Sequence, residues 1–294
     1  MEAFYIILTG ALVAVNCSLL GSFLILRKMA MVGDAISHAV LPGVVLAFMV
    51  SGSRGEIPML LGAALIGLLT VVLIEWLHQK ARIQADASIG ITFTWLFALG
   101  VILISAYAGE VDLDQDCVLY GEIAYVPLDI LYNAQGLSLG PRAAWISGAL
   151  LVVIIAFISM GYKGLMLTTF NEEYARSLGI ATVFWNLAFM GLVSLTTVLS
   201  FESVGAILIV ALLVVPPATA YLLTQNLKSL LGLAALLGVT AALGGYYLAQ
   251  WVNGSIAGAM ATVAGVQFAA AFAFSALRSQ KRQKPLSSFN SSLN

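Results

Sequence analysis

The feature that leaves this chain fewest options is a recurrence. Stretches of about twenty apolar residues follow one another from end to end, each long enough to cross a ~30 Å hydrocarbon core as a helix. They fall at 5–26, 29–50, 57–77, 87–106, 144–160, 181–201, 203–223, 229–250 and 254–277. A backbone in lipid must satisfy its own N–H and C=O groups, so the pattern predicts an all-α polytopic membrane protein of nine spans, or eight if one is partial. Composition agrees: 9% of the 294 residues are charged, against about 25% in soluble domains. Disorder and a disulfide-stapled secreted fold are excluded, and no nucleic-acid partner is expected. Two cysteines, Cys17 in a span and Cys117 in a loop, make neither a framework nor a Cys-rich metal site. The first apolar run follows Glu2 rather than a basic segment, so we read no removable signal peptide. The stretch 117–132 is apolar but contains Glu122, Pro127 and Asp129, and is expected to be interfacial or re-entrant rather than a crossing.

Orientation follows from the basic residues. With the first loop inside, Arg27, Lys28, Lys80, Arg82, Lys163, Arg176, Lys228, Arg278, Lys281, Arg282 and Lys284 share one side, leaving Arg54 and Arg142 on the other. The positive-inside rule then predicts a cytoplasmic C-terminus and, with nine spans, an external N-terminus. Acids divide the opposite way, and the run from Glu110 to Asp116 either draws cations to a pore mouth or is simply what this topology leaves outside. Glu122 and Glu202 are each embedded in apolar sequence, where a lone carboxylate is costly, and are candidates for the mouth or gate of a path.

Within the second span, Asp34 and His38 are four residues apart and share a helical face, with Ser37 beside them. Counted from Lys28, His38 lies roughly 15 Å in, near mid-bilayer. A carboxylate and an imidazole facing one way at that depth suit a divalent cation. Alternatively, Asp34 caps a helix beginning at Ala35 and His38 bonds a neighbouring backbone. Pro42 and the pair Pro216-Pro217 are expected to break or kink the second and seventh helices. Gly254, Gly258, Ala261, Ala264 and Gly265 offer small faces for close approach of the last helix. Asn186, Ser194, Thr197 and Ser200 form a polar stripe on the sixth span, read as helix–helix bonding or as lining of a path. His78, among Gln79, Lys80 and Arg82, reads as an interfacial residue.

One loop differs from the rest. From Thr168 to Ile180 the sequence reads as a short helix: Asn171 caps it, Glu172 and Glu173 suit its positive end, Arg176 its negative end, and Gly179 stops it. Tyr174 and Leu178 give it an apolar face. Two turns are marginal alone in water, so the segment should dock on its own membrane domain or on a partner. After Arg278 the chain turns basic and then Ser/Asn-rich, which predicts a disordered tail over 278–294 that can touch anionic headgroups of membrane lipid.

No phosphate-binding loop and no H-E-x-x-H motif occurs. The run Arg27–Phe48, above all Gly33-Asp34-Ala35-Ile36-Ser37-His38-Ala39-Val40-Leu41-Pro42-Gly43, resembles the signature of the permease subunits of ABC-type manganese/zinc/iron importers. Asp86-Ala87-Ser88-Ile89-Gly90-Ile91 leading to Ala98–Val101, Val118–Ile123, and Ser203–Leu208 running to Pro216-Pro217-Ala218-Thr219-Ala220 are similar to further blocks of that family, in order. Pro217 departs from it, since many relatives have a single proline at the first position.

The resemblance implies a type II importer-like permease over residues 1–277, in a bacterial cytoplasmic (inner) membrane. It also implies a second permease copy or paralogue, two cytoplasmic ATP-binding subunits and an extracytoplasmic metal-binding protein. The segment about 170–179, with Asn171, Glu172, Glu173, Tyr174, Arg176 and Gly179, takes the place of the coupling helix. ATP hydrolysis then belongs to a separate polypeptide, and this chain is no enzyme. Asp34 and His38 become the transient site for Mn2+, Zn2+ or Fe2+, with no permanently bound cofactor; oxygen and nitrogen donors without a thiolate suit those ions. A carrier or channel for divalent cations that works without an ATPase is the alternative.

Overall fold

The computed structural model describes residues 2–52, 56–107, 123–132 and 138–290. Among these, nine helical segments are long and apolar enough to span a membrane, one for each apolar stretch read from the sequence. The helices are α1 (Glu2–Leu26), α2 (Val32–Ala39), α3 (Leu41–Ser51), α4 (Glu56–Lys80), α5 (Ala85–Tyr107), α6 (Arg142–Phe170), α7 (Glu172–Ser177), α8 (Thr182–Val204), α9 (Ala206–Leu223), α10 (Leu227–Val252) and α11 (Ile256–Asn290).

The first span is the axis of the fold. Val13, Ala14, Cys17, Leu20, Phe23 and Leu24 of α1 are fully buried, and α1 packs against α6, α9 and α10, while α11 closes over α9 and α10. The other half of α1, Phe4 and Leu8 included, faces outward, and a span that is apolar on both its packed and its lipid-facing sides shows no amphipathic stripe. A second group, α2 to α5, attaches to this core through α8, with α3 on α4 and α2 on α5. There the backbones of α3 and α4 nearly touch: a Cβ on Gly43 would lie 2.4 Å from the Gly62 carbonyl oxygen, so only glycine fits at that crossing.

The second span is two helices rather than one. It breaks at Val40, between α2 and α3, because Pro42 cannot donate to the carbonyl of His38 four residues back. The Gly43 N–H turns to the Val40 carbonyl at 2.8 Å instead. The proline pair behaves differently: α9 runs unbroken through Pro216 and Pro217, both buried, so of the expected break or kink there is no break. Its cost falls on the Leu213 carbonyl, which Pro217 leaves without a donor and which faces Gly21 of α1; a Cβ on Gly21 would sit 1.9 Å from it. Glycine there lets the neighbouring helix cover the exposed backbone.

Three further expectations are corrected. Gly254, Gly258 and Gly265 make no close helix crossing, and open space or a nearby serine faces them. The close approach in this region is made by Gly245 of α10, where a Cβ would meet the Met260 backbone at 2.3 Å; the face α11 buries is Ala257, Met260 and Ala264. The fifth span extends to Phe170 rather than ending near 160, so α6 is 29 residues, about 43 Å long. Finally, α11 continues as helix to Asn290 beyond the span end at Leu277, where composition suggested an unstructured tail. The Arg, Lys and Gln of 278–284 are good helix formers, whereas Pro285 and the serines after it are not, so composition did not mark the full extension.

The part of the 117–132 stretch that is described does not cross. Ile123–Leu128 is a 3-10 turn with Ile123 and Val126 buried, followed by an antiparallel hairpin of β1 (Ile130–Tyr132) and β2 (Ser138–Pro141). No alternation marked these short strands in the sequence.

Candidate functional site

Asp34 and His38 both lie on α2, which the Val40 break cuts to eight residues. The helix starts at Val32, so Asp34 is inside its first turn and makes no side-chain capping bond. The capping reading of Asp34 therefore fails, although a carboxylate there still suits the positive helix end. His38 Nε2 lies 3.5 Å from Asp34 Oδ1, with both side chains about one-third exposed at 33% and 35%. The two groups point the same way and remain open to a third species.

The ring of His38 is held from the side by α5. Phe93 lies 5.4 Å away, tilted, and Phe97 lies 6.0 Å away, edge to face. These two rings were not singled out from the sequence. Their signal is the four-residue spacing of Phe93 and Phe97, which puts both on one face of the fourth span.

Two details of the sequence reading change. Ser37 does not sit with the pair: a residue before His38 is turned by 100° around the helix, and Ser37 is buried with its hydroxyl donating to the Gly33 carbonyl at 2.9 Å. The depth changes too. With the helix beginning at Val32, His38 is about 9 Å from that end of a 20-residue span, nearer the end that carries Arg27. Among the described residues no group of three or more His, Cys, Asp or Glu forms a metal cluster, and Asp34 and His38 stand there as a pair.

Of the other candidates, Glu122 lies outside the described residues. Glu202 falls in the last turn of α8, and its side chain also lies outside the description. The stripe on α8 resolves in part. Asn186 bonds across helices, to Arg27 at 3.0 Å and Glu75 at 3.2 Å, and Thr197 bonds its own Val193 carbonyl. Ser194 and Ser200 are buried without a hydrogen-bond partner. His78 closes the turn after α4, with Nδ1 2.9 Å from the Ile83 carbonyl oxygen.

The short helix α7 forms as its sequence signals require. The Asn171 side chain accepts the Tyr174 N–H at 2.9 Å, and Gly179, at φ +77°, ends the turn. Arg176 pairs with Glu172 at 2.6 Å and donates to Thr182 at 3.1 Å, so it braces the segment against α8. Ala175 is buried, whereas Phe170, Tyr174 and Leu178 are exposed at 62%, 53% and 55%. The apolar face thus points away from the chain's own membrane helices.

The sequence matches the ABC 3 transport family over residues 3–275. It is 50% identical to the manganese transport system membrane protein MntD of Bacillus subtilis, over 92% of this chain and 91% of that one. It is 42% identical to the zinc transport system membrane protein TroD of Treponema pallidum, over 92% of this chain and 73% of that one. Among solved structures it is similar to PsaBC from Streptococcus pneumoniae, with a TM-score of 0.72 and 32% identity over 91% of this chain and 90% of that one. The chain belongs to the ABC 3 transport family, as a multi-pass transmembrane permease subunit of an ABC importer whose ATPase is a separate subunit.

Proposed function

We propose that this permease moves a divalent transition metal, Mn2+, Zn2+ or Fe2+, into the cytoplasm, and that Asp34 and His38 ligate the ion in transit. The observation that carries the reading is the pair itself: a carboxylate and an imidazole 3.5 Å apart on one face of a broken span, each about one-third exposed. Ionisable groups in a span are rare unless they serve a path or a partner. Two ligands are too few to hold an ion permanently, and a second permease related by an axis brings the count to four, enough for a tetrahedral shell. A carrier must release what it binds, so few ligands and no thiolate fit transport.

The basic end, with Arg27, Lys80, Arg82 and Arg176, faces the cytoplasm in this reading, as does the C-terminus. The exposed Phe170, Tyr174 and Leu178 then meet the ATP-binding subunit, and an extracytoplasmic metal-binding protein delivers the ion at the opposite face. Glu122 and Glu202 are candidates for the mouth or gate there. The membrane is the bacterial cytoplasmic one.

The test is reconstitution. Vesicles holding the permeases and ATPase should accumulate radiolabelled manganese, zinc or iron only with internal or external ATP on the ATPase side. Accumulation of any of these ions without ATPase would overturn the importer mechanism. Tyr174→Ala with Leu178→Ala should reduce recovery of the ATPase with the permease by affinity purification; undiminished recovery would remove the docking assignment.

A further inference from the structure

A densely bonded polar group lies outside the candidate metal site. Arg27 occupies the turn between α1 and α2, and its guanidinium reaches two other helices, α6 and α8. It donates through Nε to Thr169 at 3.1 Å, and through its terminal nitrogens to Thr168 at 3.2 Å and Asn186 at 3.0 Å. It also lies over the Phe189 ring, 4.5 Å from its centroid. Asn186 then donates to Glu75 of α4, itself 8% exposed. Burial pushes the guanidinium down to about 10, with Glu75 and Glu172 opposing the fall, so the group stays charged at neutral pH.

Position gives this cluster its meaning. Thr168 and Thr169 are the two residues before Phe170, which ends α6 and precedes the Asn171 cap of α7. On the other side, Arg27 begins the turn that leads into α2, which carries Asp34 and His38. The turn is itself tied back, with the Met29 N–H bonded to the Leu24 carbonyl at 2.9 Å. A planar guanidinium holds several acceptors in a fixed geometry, and a desolvated cation resists leaving its partners. The root of α7 and the start of α2 are therefore held by one side chain and either move together or must exchange partners.

We infer that Arg27 is the positioning residue through which displacement of α7 reaches the helix bearing Asp34 and His38, its fork tying Thr168 and Thr169 to the α1–α2 turn. This rests on the reading of α7 as the ATPase-docking segment. The assembled transporter, with its ATPase, is reconstituted in vesicles, and ATP hydrolysis and metal uptake are measured on the same preparation. Wild-type vesicles are tried with manganese, zinc and iron; no ATP-dependent uptake of any would withdraw the functional reading itself.

Arg27→Gln should leave hydrolysis within about twofold of the parent while uptake falls about tenfold, within the ordinary range of coupling free energies. Arg27→Lys keeps the charge but not the fork, and should give intermediate uptake. Thr168→Val with Thr169→Val removes only the α6 anchors, leaving Arg27 on Asn186, and should uncouple in the same way. Hydrolysis and uptake that fall in proportion, or both unchanged, would overturn the inference. If Arg27→Gln fails to assemble, the double valine variant decides: normal coupling, or failure to assemble, reduces the cluster to a structural one.

Discussion

Two polar groupings hang from one short piece of chain, and they are built on opposite plans. Around Arg27 each guanidinium nitrogen donates to an acceptor on another helix, the carboxylate of Glu75 is bonded by Asn186 and Gln79, and Glu75 and Asn186 are buried. Around His38 the polar partner among the described residues is Asp34, the flanks are aromatic, and both side chains stay partly open. A buried polar network that is fully satisfied fixes structure, and one left partly satisfied is unstable unless something completes it. The difference separates a grouping that holds the fold from one that waits for a visitor.

That contrast predicts which readout each grouping controls. The largest effect is expected from Asp34→Ala or His38→Ala: uptake in cells expressing the whole system should fall to background. Thermal stability in detergent should change by less than about 1 kcal/mol for Asp34→Ala, since Asp34 bonds no other helix among the described residues, and by about 1–3 kcal/mol for His38→Ala, which loses the contacts with Phe93 and Phe97. Retained uptake at normal abundance would strip the pair of its role. The opposite pattern is expected from Asn186→Leu, which leaves both Arg27 and Glu75 short of a partner in a buried place. Each such loss costs about 1–3 kcal/mol, so the melting temperature and membrane abundance should drop. A variant as stable as the parent would show that water replaces the amide and that the cluster is less closed than its geometry indicates.

The spans were legible because lipid enforces a long apolar run for each crossing, and the Asp34/His38 pair because ionisable groups stand out against such a run. What escaped the sequence was partnership. Arg27 read as a marker of topology, since nothing local says that Thr168, Thr169 and Asn186 will converge on it from two other helices. Glu75 drew no attention at the end of an apolar helix, although Gln79 one turn on makes a polar face with it. The small residues of the last span misled for a related reason: glycine permits a close crossing but does not choose the neighbour, and Gly245 on the preceding helix made it instead. Prolines divided likewise. Pro42 split its helix where Pro216 and Pro217, supported by the close packing of α1, did not.

The smallest predicted effect sharpens the open half of the comparison. If His38 is poised rather than bonded, its orientation must come from packing, and Phe93 and Phe97 are the side chains that supply it. Phe97 is itself 38% exposed, so replacing it by leucine removes an aromatic edge without opening a buried cavity. An aromatic contact of this kind contributes about 0.5–1.5 kcal/mol beyond area burial, which converts to a two- to tenfold effect. Phe97→Leu should therefore raise the metal concentration for half-maximal uptake by that factor and leave the maximal rate near that of the parent, because the ligands survive and only their readiness is lost. A fall in maximal rate at unchanged half-saturation would place Phe97 in the moving path rather than beside the waiting imidazole. No change in either would mean that Asp34 alone sets the ring, and that the open site is more tightly preorganised than its exposure suggests.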